Sequence, residues 1–184
     1  MASSNTLHPW ELEIPTGSRT ATEQTVHLGA DFFAAAAHAD LLGGDVTAHI
    51  TLTPAGNDWR IRLRCEGSVE TLCDRCQGPM TLSVDDSYEA PLLPSAGGLV
   101  PPGDDSDAVF YDPATGIADL LRPLADTIAL SLGLCHYHPD GECDPEVEAL
   151  LDNGPEKGNT PFADKLRALT QDSGGGNPEK DDGK

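Results

Sequence analysis

The sequence predicts an α+β fold, a mainly antiparallel β-sheet joined to a few helices. Three patterns lead there. Between residues 45 and 65, two stretches alternate apolar and polar side chains on either side of a turn. A Cys-x-x-Cys peptide then lies between two further extended stretches. Beyond Asp119 the apolar spacing changes from two to three and four, the period of a helix.

The elements follow in order. Residues 1–9 read as a flexible start. Trp10, Leu12 and Ile14 alternate with Glu11 and Glu13, which predicts a strand, and a second extended piece covers about residues 18–28. The alanine-rich run at 31–39 opens on Asp31 as a cap residue and predicts a short helix. Val46, Ala48, Ile50 and Leu52 form one apolar row, and Trp59, Ile61, Leu63 and Cys65 form another, with the turn PAGND between them. The pair predicts an antiparallel hairpin with one buried face. Residues 67–72 and 80–90 predict a second pair around CDRC, a knuckle hairpin. PSAGGLVPPGDDSD, residues 94–107, predicts a mobile polar loop.

Asp119 is placed to cap a helix carrying Leu120, Leu121, Leu124, Ile128 and Leu132 on one stripe. Pro123 falls in its first turn, where a missing amide hydrogen costs little. Asp144-Pro145 predicts a second helix start, leading to Val147, Leu150 and Leu151. Thr160-Pro161 predicts a third, leading to Phe162, Leu166 and Leu169. Residues 171–184 contain no apolar side chain beyond glycine and proline and are expected to be a disordered tail. Residues 10–170 read as one domain.

Among 184 residues, 31 are acidic and 11 basic, a net charge of −20. Such a surface repels phosphate backbones and anionic membranes at long range. It points to a basic protein partner or to a salt-rich cytoplasm. The start MASSNTLHPWELEIP has no basic region followed by an apolar run, and no stretch approaches a membrane span, so a cytoplasmic location is expected. Five cysteines in that setting are read as thiols or metal ligands rather than disulfides.

Cys73-x-x-Cys76 on a tight turn can aim two sulfurs at one ion, the half-site of zinc ribbons and knuckles. Gly78 is available for the positive φ that such a turn needs. A second half-site lies in LCHYHPDGEC, residues 134–143, which offers Cys135, His136, His138 and Cys143. Every combination has ligand spacing. Cys73, Cys76, His138 and Cys143 would close a Cys₃His tetrahedron, with Pro139-Asp140-Gly141 turning the loop back. Two other readings compete. Cys73 and Cys76 are a redox pair, although that chemistry favours a strand-to-helix junction and the residues after Cys76 read as strand. Or the residues hold no metal and pack as small apolar groups. Cys65 lies on the apolar side of its strand and reads as core.

Taken together, four stretches resemble the YceD family, the large ribosomal RNA subunit accumulation proteins. They are GSVETLCDRCQGPMTLSVDDSYEAPL, IADLLRPLADTIALSL, HPDGEC and the closing NTPFADKLRAL. The likeness runs from about residue 45 to residue 169. It implies that Cys73, Cys76, His138 and Cys143 hold a structural Zn²⁺, while Cys135 and His136 match no ligand position. Gly133 stands where many relatives have proline, so the exit of the preceding helix is expected to differ. The resemblance also implies a non-enzymatic factor in the synthesis, processing or stability of large-subunit (23S) rRNA. Its partner would be that rRNA or a pre-ribosomal particle, reached directly or through a ribosomal protein or assembly factor.

No phosphate loop, nucleophile elbow or metalloprotease helix occurs, so no small-molecule substrate and no catalytic residue are expected. Arg60, Arg62 and Arg64 share one strand face and Arg75 sits at the knuckle, a local positive stripe able to meet RNA phosphate or a partner. The competing reading pairs them with strand carboxylates such as Glu66 and Glu70. Phe162, Leu166 and Leu169 form a short stripe that folds onto the core or docks into a partner groove. Two rival functions stand beside the ribosomal one: a zinc-stabilised protein adaptor that does not contact RNA, and a thiol–disulfide redox protein using Cys73 and Cys76.

Overall fold

Alternation of apolar and polar residues produces one long twisted sheet with a wet face and a dry face. The computed structural model describes residues 7–15, 19–104 and 106–152. Five strands, β2 (Thr22–Leu28), β3 (Gly43–Ala55), β4 (Asp58–Leu72), β5 (Pro79–Pro94) and β6 (Val109–Tyr111), pair in that spatial order. All pairings are antiparallel except the short parallel one between β5 and β6. Separately, β1 (Glu11–Glu13) pairs with β7 (Ile117–Asp119). Helices α1 (Ala30–Ala36), α2 (Leu121–Ser131) and α3 (Pro145–Asp152) complete the α+β arrangement.

The two expected hairpins share a strand. β4 runs unbroken through residues 58–72, pairing with β3 on one side and β5 on the other. Two glycines make this crossing close. A Cβ on Gly67 would sit 2.2 Å from the Asp45 carbonyl oxygen, and one on Gly44 would sit 2.5 Å from that of Ser68. Their φ values, +149° and +154°, suit glycine and strain other residues.

The dry face carries Val46, Ala48, Ile50 and Leu52 from β3, and Trp59, Ile61, Leu63 and Cys65 from β4, all buried. Phe32 and Phe33 of α1 and Leu124 and Ile128 of α2 cover it. Trp10 meets Phe32 edge-on at 5.8 Å between ring centroids. Each large aliphatic or aromatic side chain among them contributes about 1.5–3 kcal/mol through burial, so the sheet face is the main source of stability.

Two of the three expected caps among the described residues sit differently, and in α2 the N-cap is Leu120, one residue after Asp119. Asp119 accepts a hydrogen bond from the Leu121 amide at 2.9 Å, and Asp144 accepts one from the Glu146 amide at 2.9 Å. Asp31 does not cap α1. The helix begins one residue earlier, Gly29 is its N-cap, and Asp31 lies in the first turn. It also ends sooner than residue 39, because Ala37 turns left-handed with φ 48° and donates to the Phe33 carbonyl. Strands β6 and β7 were not expected. Each has three residues, Val-Phe-Tyr and Ile-Ala-Asp, with no alternation of apolar and polar side chains. The 94–107 segment includes a 3₁₀ turn at Ala96–Gly98. Val147 is half-buried, but Leu150 and Leu151 are exposed, so the expected apolar stripe of α3 is not packed against the described residues. The third expected helix, with Phe162, Leu166 and Leu169, and the expected tail lie outside the described residues.

Candidate metal centre

The turn between β4 and β5 is built by its own backbone. The Cys73 amide donates to the Gly78 carbonyl at 2.9 Å, and the Gln77 amide donates back to the Cys73 carbonyl at 2.8 Å. The left-handed residue is Gln77, with φ 57°, and not Gly78 as expected from sequence. Gly78 serves by being small. A Cβ there would lie 3.3 Å from the Cys76 sulfur and 3.5 Å from the His138 ring.

The second half arrives from α2. Gly133 turns the chain with φ 81°, a conformation closed to proline. The helix exit in this chain therefore depends on glycine. His136 then latches onto the knuckle: its carbonyl accepts from the Asp74 amide at 2.8 Å, and its amide donates to the Asp74 carboxylate at 2.6 Å. Gly141, with φ 83°, turns the loop back, and the Glu142 amide donates to the Pro139 carbonyl at 3.0 Å.

These two loops bring Cys73, Cys76, His138 and Cys143 together, with all four ligand atoms within 4.8 Å of one another. The Cys73 and Cys143 sulfurs are 3.8 Å apart. The His138 Nδ1 is 3.3 Å from the Cys76 sulfur and 3.8 Å from that of Cys143. A disulfide would require about 2.05 Å. A tetrahedral ion with zinc–sulfur bonds near 2.3 Å spaces two sulfurs about 3.8 Å apart and a sulfur and a nitrogen about 3.5 Å apart. The four residues thus fit a closed tetrahedral site that can hold a metal ion. The described cysteines form no disulfide, and the CxxC leads into a strand rather than a helix, which leaves the redox reading without its usual dipole.

The surroundings favour the thiolate form at Cys73 and Cys76 and oppose it at Cys143. Burial pushes the Cys73 thiol up, but the amides of Cys76, His138 and Arg75 converge on its sulfur and bring it down to about 6. Cys76 is lowered by the amides of Asp144 and Gly78. Cys143 is pushed up to about 11, by burial first and then by its sulfur neighbours, and a bound cation would displace that proton. His138 is raised, first by the Pro79 carbonyl, which lies 3.2 Å from its Nε2. That contact places the ring proton on Nε2 and leaves Nδ1 to face the sulfurs, the usual way a ligating histidine is oriented.

Cys135 and His136 stay outside the cluster. Cys135 is exposed and hydrogen-bonded to Tyr137, whose ring lies under the Arg75 guanidinium at 5.4 Å. His136 spends its backbone on Asp74. Asp74 itself was not singled out from sequence. Its only sequence signal is its position between the two knuckle cysteines.

Arg60, Arg62 and Arg64 do share the wet face of β4, and each is paired there. Arg62 Nε donates to Glu89 at 3.0 Å, Arg60 reaches the same carboxylate at 3.4 Å, and Arg64 bonds Glu66 and, at 3.1 Å, Asp85. Arg62 holds the Glu89 carboxyl below its ordinary range, with Arg60 assisting. The carboxylates come mostly from β5 across the strand pair; Glu66 takes part, and Glu70 does not pair with these arginines. No helix among the described residues is long and apolar enough to cross a membrane.

Comparison of the chain with protein-family models, with curated proteins and with solved structures gives no match in any of the three.

Proposed function

We propose that this chain is a non-enzymatic factor in large-subunit (23S) rRNA synthesis, processing or stability, acting in the cytoplasm by binding, with a structural Zn²⁺ at Cys73, Cys76, His138 and Cys143. The observation that supports it is the closed four-ligand cluster, which joins the CDRC knuckle to the HPDGEC loop. Those are two of the segments on which the YceD-like resemblance rests. Four protein ligands leave no open coordination position, so the ion would serve as a staple and not as a Lewis acid. Sedimentation of a lysate containing the tagged protein tests the reading. The protein is expected to travel with precursor large-subunit particles; recovery only in the light fractions would refute it. Native mass spectrometry is expected to show one zinc per chain.

A second reading, a zinc-stabilised adaptor that does not contact RNA, is favoured by one observation. The three strand arginines are already engaged by Glu89, Glu66 and Asp85. Filter binding to precursor 23S rRNA separates the two. Loss of binding when Arg60, Arg62 and Arg64 are all replaced by Ala supports direct contact; absence of binding by the native chain supports the adaptor.

A further inference from the structure

We propose that the cleft between α2 and the β5–β6 edge is a docking groove for the chain's own segment at residues 160–169. The cleft has a volume of about 830 Å³. Val109 and Phe110 lie buried along its wall, and Leu121 and Leu130 project from α2. Leu99, Val100 and Leu130, which also line it, are 71%, 65% and 78% exposed. Three large apolar side chains left open in one cleft indicate a surface that is normally covered.

The rim says what covers it. Asp86, Asp107, Asp119 and Asp126 line the cleft together with Glu11 and Asp112. Among the described residues the one cation in the lining, Arg122, is engaged by Asp126 at 3.2 Å. An apolar floor inside a ring of carboxylates repels phosphate and suits a basic amphipathic peptide.

The chain carries such a peptide. TPFADKLRAL places Phe162, Leu166 and Leu169 at helical spacings of four and three, with Lys165 and Arg167 between them. All four lysines of the chain (Lys157, Lys165, Lys180 and Lys184) follow Asp152. The tether matches the spacing between the metal centre and the cleft. Pro79, which contacts His138 in the metal centre, and Asp86 at the cleft lie on one strand, about 23 Å apart. The eight residues from 153 to 160 extend up to about 27 Å. A tether of that length gives a local concentration on the order of millimolar, so even a weak site is filled.

Amide chemical shifts of the zinc-loaded full chain test the docking. Replacing Phe162, Leu166 and Leu169 together by Ala is expected to move the amides of Val109, Phe110, Leu121 and Leu130. A synthetic peptide of residues 160–170 should move them back, and should bind the native chain at least tenfold more weakly than the triple variant. Leu130→Glu, at an exposed position, should abolish peptide binding to that variant. Shift changes confined to residues 155–175, equal binding to both chains, or binding indifferent to Leu130→Glu would overturn the proposal. So would a native dimer in sedimentation that the triple variant dissociates, since the segment would then occupy a second copy. If the peptide fails while a foreign basic peptide binds, the groove belongs to another protein.

Discussion

Asp74 and His136 exchange two hydrogen bonds, amide to carbonyl at 2.8 Å and carboxylate to amide at 2.6 Å, and the His136 Nδ1 lies 3.6 Å from the same carboxylate. This reciprocal contact aligns the loop that delivers His138 and Cys143. Asp74→Ala removes the acceptor for the His136 amide and loosens the second half-site. Metal affinity should fall roughly 10- to 100-fold, as it does when supports of a ligand shell are lost. Competition with a chelator of known affinity measures this, and Asp74→Asn should recover part of the loss.

Loss of the ion and loss of a ligand should have the same consequence. Cys73→Ser is expected to lower stability by several kcal/mol in the zinc-loaded chain, because binding and folding are coupled. With metal removed by chelation, native and variant melting curves should nearly coincide. A variant that melts like the native loaded chain would show that the cluster carries no ion.

Gly67 of β4 packs directly against β3, with the Asp45 carbonyl in the space a side chain would need. Gly67→Ala must part the two backbones at the centre of the sheet. A destabilisation of more than about 2 kcal/mol is expected in urea unfolding, well above the ordinary effect of a single substitution. Gly56→Ala, in an open turn with φ 62°, should cost about 1 kcal/mol from conformation alone.

The buried Cys65 thiol is pushed up to about 12, by burial and then by Asp86, from an ordinary value of 9.0. Between pH 9 and 12 the unfolded chain releases this proton and the folded chain keeps it. Stability is therefore unaffected by this group below pH 9 and falls as pH rises above it. Cys65→Ala should remove that part of the alkaline decline and lower stability slightly only below pH 9, where the thiol is neutral in both states. In iodoacetamide at pH 8, exposed Cys135 should react and Cys65 should not until the chain unfolds.

Much of this arrangement was readable in advance because it rests on side-chain periodicity. Val46 to Leu52 and Trp59 to Cys65 alternate so regularly that their pairing and buried face follow. The ligand set was readable for another reason: Cys73, Cys76, His138 and Cys143 are few, chemically specific and spaced as two half-sites. What escaped depends on local backbone choices. Gln77 rather than Gly78 takes the left-handed turn, since Gly78 is needed where a Cβ would crowd the Cys76 sulfur. The parallel strand at Val109–Tyr111 escaped because three residues carry no periodic signal. Glu89 and Asp85 became partners of the arginines only once β5 lay beside β4.

The separation of the half-sites along the chain sets an order of events during synthesis. Cys76 leaves the ribosome 67 residues before Cys143. At about 5–20 residues per second the first thiols wait roughly 3 to 13 seconds for the last ligand. During that interval the nascent hairpin offers an incomplete chelate that oxidants, or the wrong cation, can reach.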